Sequence, residues 1–168
     1  MYVRVVDYKT GQKDFKPEDL EKGKNLQMFL YLSAIVDTKN KALLDDIGVG
    51  EGGKLIPAGV IYVKSALSDV NISHDSPDEE REAVIADQKR QGMIFDDAVN
   101  LSAMSARYLP VRMTKDGRYY KDSVKYVYND EGWKTLRETV EDSVRRVTRK
   151  MRSGDISARP LVEKEKSP

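Results

Sequence analysis

Two short apolar runs, residues 2–8 and 58–64, flank a stretch with helical periodicity over 25–36, and this strand–helix–strand order is the strongest constraint on the fold. Leu26, Phe29, Leu30, Ser33 and Val36 recur at the spacing of one helix face. A helix between two strands favours a crossover, so the spacing predicts parallel neighbours. The first run is apolar on both faces, as a strand in the centre of a sheet would be. Its last residues are Asp7, Tyr8 and Lys9. Alternate residues of a strand share a face, so Asp7 and Lys9 converge on one side. A carboxylate there can hold a divalent cation, and a lysine beside it can hold a phosphate or polarise a water. Gln27 and Tyr31 are four apart on the predicted helix and also share a face. Together these residues point to phosphodiester cleavage.

The rest of the chain reads as connections and helices. Residues 10–24 form a polar loop interrupted by Pro17, and 37–56 a Lys/Asp/Gly-rich connection before Pro57 opens the second strand. A loop over 65–77 precedes Asp78, Glu79 and Glu80, acids suited to a helix start, and that helix is expected to reach about Gln91. Residues 110–128 read as a hairpin with Lys115, Asp116 and Gly117 at its turn. A long helix follows over 130–153, with Trp133, Leu136, Val140, Val144, Val147 and Met151 in one stripe and Gly154 as its stop. The sequence thus predicts one domain over 1–154 and a loosely ordered tail over 155–168.

Composition narrows the classes. A chain of 168 residues can bury one core. A net charge of +1 means that any nucleic-acid contact must use a local patch. The absence of cysteine excludes disulfides, thiolate metal sites and a cysteine nucleophile in these residues. Neither a secretory signal nor an apolar run of membrane-spanning length is visible, so no membrane contact and a cytoplasmic location are expected. Residues 48–55 imitate a dinucleotide fingerprint and a phosphate-binding loop, but Leu55 stands where the loop needs Ser or Thr. Those motifs also follow a strand and open a helix, whereas here the order is reversed.

Each candidate has a plain structural explanation as well. Asp7 and Lys9 could be a surface ion pair, and Gln27 with Tyr31 a polar helix face. Arg145, Arg146, Arg149, Lys150 and Arg152 complement the dipole at a helix C-terminus, or contact DNA phosphates. His74 lies in a polar loop and reads as solvated. Tyr119, Tyr120, Tyr126 and Tyr128 suit hairpin packing more readily than stacking on bases.

The joint arrangement of Asp7-Tyr8-Lys9-Thr10-Gly11, Gln27 with Tyr31, and Pro57-Ala58-Gly59-Val60-Ile61-Tyr62 resembles a known family. It is similar to the C-terminal nuclease region of the AddB (RexB-type) subunit of bacterial helicase–nucleases, within the PD-(D/E)xK superfamily. The likeness continues through residues 89–95, Leu109 to Val111, and 153–160. It implies an α/β, restriction-endonuclease-like core with a mixed sheet flanked by helices. It further implies that Asp7 binds metal, that Lys9 is the catalytic lysine, and that the Tyr8 carbonyl is a further metal ligand. Gln27 and Tyr31 would organise the site and the DNA backbone near it. The implied cofactor is magnesium (Mg2+), and the implied partners are DNA and an AddA/RexA-type helicase–nuclease subunit.

Two departures qualify the likeness. The family places a second metal-binding aspartate in an upstream Gly-x-x-Asp-Arg-x-Asp segment, with a histidine on a helix before it. It also holds an iron–sulfur cluster through four cysteines, and this chain has none. The resemblance therefore implies a partial nuclease domain lacking the first strands of its core, with exonuclease activity in double-strand break repair belonging to the parent protein and latent here. The alternatives are a non-catalytic DNA-binding or scaffolding piece of such a complex, and a stand-alone RecB-like nuclease.

Overall fold

The structure, a computed structural model, describes residues 1–11, 15–65, 77–104, 109 and 111–157. Strand β1 (Tyr2–Lys9) leads through a 3-10 turn (Pro17–Asp19) to helices α1 (Leu26–Val36) and α2 (Lys41–Asp46). Strand β2 (Ile56–Lys64), helix α3 (Pro77–Asp87) and strand β3 (Gln91–Phe95) follow. Helix α4 (Ala98–Ser102), strand β4 (Val127–Tyr128) and helix α5 (Asp130–Arg152) complete the order. The sheet is mixed, in the order β1-β2-β3-β4. β1 runs parallel to β2, β2 antiparallel to β3, and β3 parallel to β4. The crossover through α1 thus produces the parallel pair that the sequence predicts.

Helices α1 and α5 cover one face of the sheet. Met28, Phe29 and Leu32 from α1, and Trp133 and Val140 from α5, are buried there with Phe15, Val60 and Met93. On the opposite face Ile61 and Ile94 pack against Met104, Leu109 and Val111. Buried Asn100 joins that second layer to the sheet, its amide donating to the carbonyls of Ala58 at 3.0 Å and Phe95 at 2.9 Å. No helix among the described residues is long and apolar enough to cross a membrane.

Four expectations need correction. Among the described residues β1 is the end strand of the sheet rather than a central one, and the face bearing Val6 and Tyr8 is exposed. The helix begun by the acidic run ends at Asp87, and Gln91 opens β3 instead. Gly92, at φ +136°, explains the change: a Cβ there would lie 2.0 Å from the Val60 carbonyl, so glycine is what lets β3 approach β2. The expected hairpin shrinks to a single antiparallel bridge between Met113 and Tyr119, around a turn with Gly117 at φ +76°. Val127 and Tyr128 pair with β3 rather than with the first arm.

The long helix also departs from its predicted stripe. Trp133 and Val140 are buried, but Val144, Val147 and Met151 are exposed. At 1.5 Å per residue, the 23 residues of α5 extend about 34 Å, against about 16 Å for the 11 residues of α1. α5 therefore outruns the layer on which it packs. Gly154, at φ +80°, follows its end as expected. His74, Pro110 and residues 158–168 lie outside the described residues.

Candidate active site

The site begins at the carboxyl ends of the two parallel strands, where open α/β sheets commonly hold their ligands. Val3 and Val5 pack into the core beneath α1, so the period of two places Asp7 and Lys9 on that same face. Their side chains meet, with Lys9 Nζ 2.6 Å from Asp7 Oδ2, and both remain partly open to solvent. A pair in such a setting contributes roughly 0–1 kcal/mol, so stability gives it little purpose. The Lys9 carbonyl accepts from the Ser65 backbone N–H at 2.8 Å, fixing the strand end. Successive carbonyls of a strand point opposite ways, so that of Tyr8 faces the open edge of β1. The Tyr8 side chain is 70% exposed on the other face.

Tyr62, which closes the third motif, is a neighbour to which the motifs gave no role. It is paired in register with Asp7 across β1 and β2, on the α1 side, and only 4% exposed. Its ring packs against Phe15 with centroids 5.7 Å apart. Burial, and then the Asp7 charge beside it, push its hydroxyl up to about 12. It therefore stays protonated at neutral pH. The strand period gave the signal, since Val60 and Tyr62 share a face, but linking that face to Asp7 required the register. Two residues further along, Lys64 stands opposite Lys9.

Gln27 and Tyr31 are brought together, with Gln27 Nε2 donating to the Tyr31 hydroxyl at 2.7 Å. Both are exposed, on the first two turns of α1. Among the described residues neither is hydrogen-bonded to Asp7 or Lys9, so the structure holds them as a separate pair. Because α1 is the return element between parallel strands, its N-terminus lies at the strand end that carries Lys9.

The basic end of α5 reaches the same end of the domain. Arg137 pairs with Asp37 just beyond the C-terminus of α1 at 2.6 Å, whereas Arg146 donates to the Glu21 carbonyl, ahead of its N-terminus, at 3.2 Å. The two helices thus run antiparallel. Arg145 pairs with Glu141 at 3.3 Å, and Arg149 is exposed. Arg145 and Arg146 therefore have structural contacts, while Arg149 faces solvent.

The donor set falls short of a resident magnesium site. Octahedral magnesium takes oxygen ligands, usually one or two carboxylates with several waters. Asp7 supplies one carboxylate and Tyr8 one edge-facing carbonyl, and among the described residues no group of three acidic or histidine side chains could hold a metal. The described residues alone do not make a complete site.

A family model described as the PD-(D/E)XK nuclease superfamily matches residues 1–163. The B subunit of the ATP-dependent helicase/deoxyribonuclease of Clostridium novyi (strain NT) is 30% identical over 170 residues, covering 97% of this chain and 14% of that protein. The protein of the same name from Clostridium kluyveri (strain NBRC 12016) is 30% identical over 173 residues, covering 99% and 14%. That from Clostridioides difficile (strain 630) is 26% identical over 175 residues, covering 98% and 14%. The chain therefore spans about one-seventh of the length of these curated relatives. With a mixed sheet flanked by helices and a match along nearly its whole length, the chain belongs to the PD-(D/E)XK nuclease superfamily.

Proposed function

We propose that this chain contributes the lysine-bearing half of a DNA-cleaving site in a helicase–nuclease subunit. The observation that carries the reading is the Asp7–Lys9 pair, on one face at the carboxyl end of a parallel strand, within a chain of this superfamily. Lys9 holds a non-bridging phosphate oxygen and neutralises the charge that builds as a phosphodiester is attacked. Asp7 and the Tyr8 carbonyl are two oxygens of a magnesium site whose remaining acid comes from outside the described residues. Gln27 and Tyr31 steer the DNA backbone at the entry to α1, and Arg145, Arg146 and Arg149 add phosphate contacts from α5. The assembled enzyme is a magnesium-dependent exonuclease of double-strand break repair, working in the cytoplasm with DNA and a helicase partner.

A second reading, a non-catalytic DNA-binding or scaffolding piece, is favoured by the lack of a three-group metal cluster among the described residues. Magnesium-dependent cleavage of labelled DNA separates the two. The 168 residues alone should cut slowly or not at all; preceded by the segment that precedes them in the relatives, they should cut. Lys9→Ala in that longer protein should abolish cleavage and spare DNA affinity, because its charge acts mainly in the transition state. Robust magnesium-dependent cutting by the 168 residues, unaffected by Asp7→Ala, would show the site to be elsewhere.

A further inference from the structure

We propose that Lys89, Arg90, Arg112 and Lys125 form a second binding site on this domain, for the phosphodiester backbone of the DNA strand that reaches Asp7 and Lys9. The inference rests on the nuclease reading and extends it. These four cations line a cavity of about 310 Å³ whose one acid, among the described residues, is Asp122. A chain with a net charge of only +1 has thus gathered a local excess of positive charge. Two other cavities show the opposite balance. One of about 530 Å³ sets Asp37, Asp96, Asp97 and Asp130 against Lys54 and Arg137. One of about 500 Å³ carries Asp96 and Glu131 with no cation among its described lining residues. A phosphate is repelled from both and drawn to the first.

Two of the four cations are held in place. Arg112 is paired to Asp122 at 2.5 Å and its guanidinium lies 4.9 Å from the centre of the Tyr120 ring. Its backbone N–H donates to the hydroxyl of buried Ser123 at 2.8 Å. Lys125 sits 5.1 Å from the centre of the Tyr126 ring. Contacts of this kind lower the entropy lost when an anion binds.

Position ties the cavity to the candidate active site. Gln91 lines it and pairs in register with Tyr62, which pairs with Asp7. β3 begins where β1 and β2 end, so the cavity opens at the same end of the sheet as Lys9. One DNA strand running along this end of the sheet can thus meet both places, since its phosphates repeat along the whole backbone.

The test is the binding of a labelled single-stranded DNA oligonucleotide, followed by fluorescence anisotropy across a salt series with a chelator present. Lys89→Gln combined with Lys125→Gln should weaken binding about tenfold and make the slope of log K against log salt shallower by about 1.4, or about 0.7 for each lost phosphate contact. Lys39→Gln with Lys41→Gln removes the same charge at the opposite end of the sheet and should change affinity less than about twofold. Lys89→Arg with Lys125→Arg should retain binding, and circular dichroism melts should match for all variants. Equal losses from the two glutamine pairs, no loss from the first pair, or no salt-dependent binding by the unsubstituted chain would overturn the proposal. Lys9→Ala in the longer protein separates this inference from the nuclease reading. Lost cleavage beside an unaffected Lys89/Lys125 variant sinks the backbone site alone; intact cleavage beside a binding-deficient one sinks the catalytic assignment alone.

Discussion

β1 and β2 are neighbours, parallel and similarly apolar, yet their surroundings differ. Six consecutive residues of β2, from Pro57 to Tyr62, are buried, whereas β1 alternates between half-buried and exposed along its length. Ile61 is 1% exposed, but Val6, paired with it in register, is 42% exposed. Composition does not account for that contrast; position in the sheet does. β2 has a strand on each side and layers over both faces, while among the described residues β1 has one neighbour and one covered face. The candidate chemistry lies on the boundary between these environments. Asp7 remains within reach of solvent, while its partner Tyr62 is enclosed.

The contrast is broken most severely from the β2 side. Gly92→Ala should cost several kcal/mol and remove the cooperative thermal transition, because the new Cβ would collide with the Val60 backbone at 2.0 Å in a conformation that suits glycine. A circular dichroism melt measures this. A transition within a few degrees of the unsubstituted chain would mean that β2 and β3 are not in such close contact.

A smaller effect tests the enclosure of Tyr62. Its hydroxyl rises from an ordinary 10.0 to about 12 in the folded chain. Between those values the unfolded chain releases the proton while the folded one keeps it. Stability that is present below pH 10.0 is therefore lost as the pH climbs through the window, by about 2–3 kcal/mol from this group. Burial also raises Tyr128, so the contribution of Tyr62 has to be isolated by difference. Urea unfolding from neutral pH to above pH 11 should show a shallower decline for Tyr62→Phe. Asp7→Asn should take away a smaller part of it, since Asp7 is the second cause of the shift. Parallel declines for Tyr62→Phe and the unsubstituted chain would place Tyr62 in contact with water.

Much of this arrangement was legible in the sequence because its signals are local. The alternation around Asp7 and Lys9, the spacing of Gln27 and Tyr31, and the periodicity of α1 and α5 each need only a few neighbouring residues. The missed features depend on register or on distant segments. β3 has five residues with a glycine in second place, and β4 has two, so neither shows a strand period. α4 has five residues and is recognised chiefly by Asp97, which accepts from the backbone of Val99 at 2.9 Å and Asn100 at 3.0 Å. Tyr62 becomes a neighbour of Asp7 only once β1 and β2 are aligned. The basic cavity draws on segments more than 30 residues apart, from Lys89 to Lys125, which no short motif can join. The exposure of the outer face of β1 was equally hidden, because its valines and tyrosines read the same at an edge as at a centre.

That exposed face gives the finest test of the comparison. Val6→Thr keeps the β-branched shape and exchanges a methyl for a hydroxyl. At a position that is 42% exposed, the hydroxyl remains hydrated and little packing is lost, so the change in stability should stay within about 0.5 kcal/mol. The same exchange at Val60, which is fully buried on β2, places a hydroxyl among apolar side chains and should cost about 1–3 kcal/mol. Urea titrations of the two variants under one condition measure the difference directly. A Val6→Thr cost comparable to that of Val60→Thr would mean that the outer face of β1 is covered in solution. The two strands would then be alike in burial, and the position of Asp7 at a boundary between open and enclosed surroundings would no longer hold.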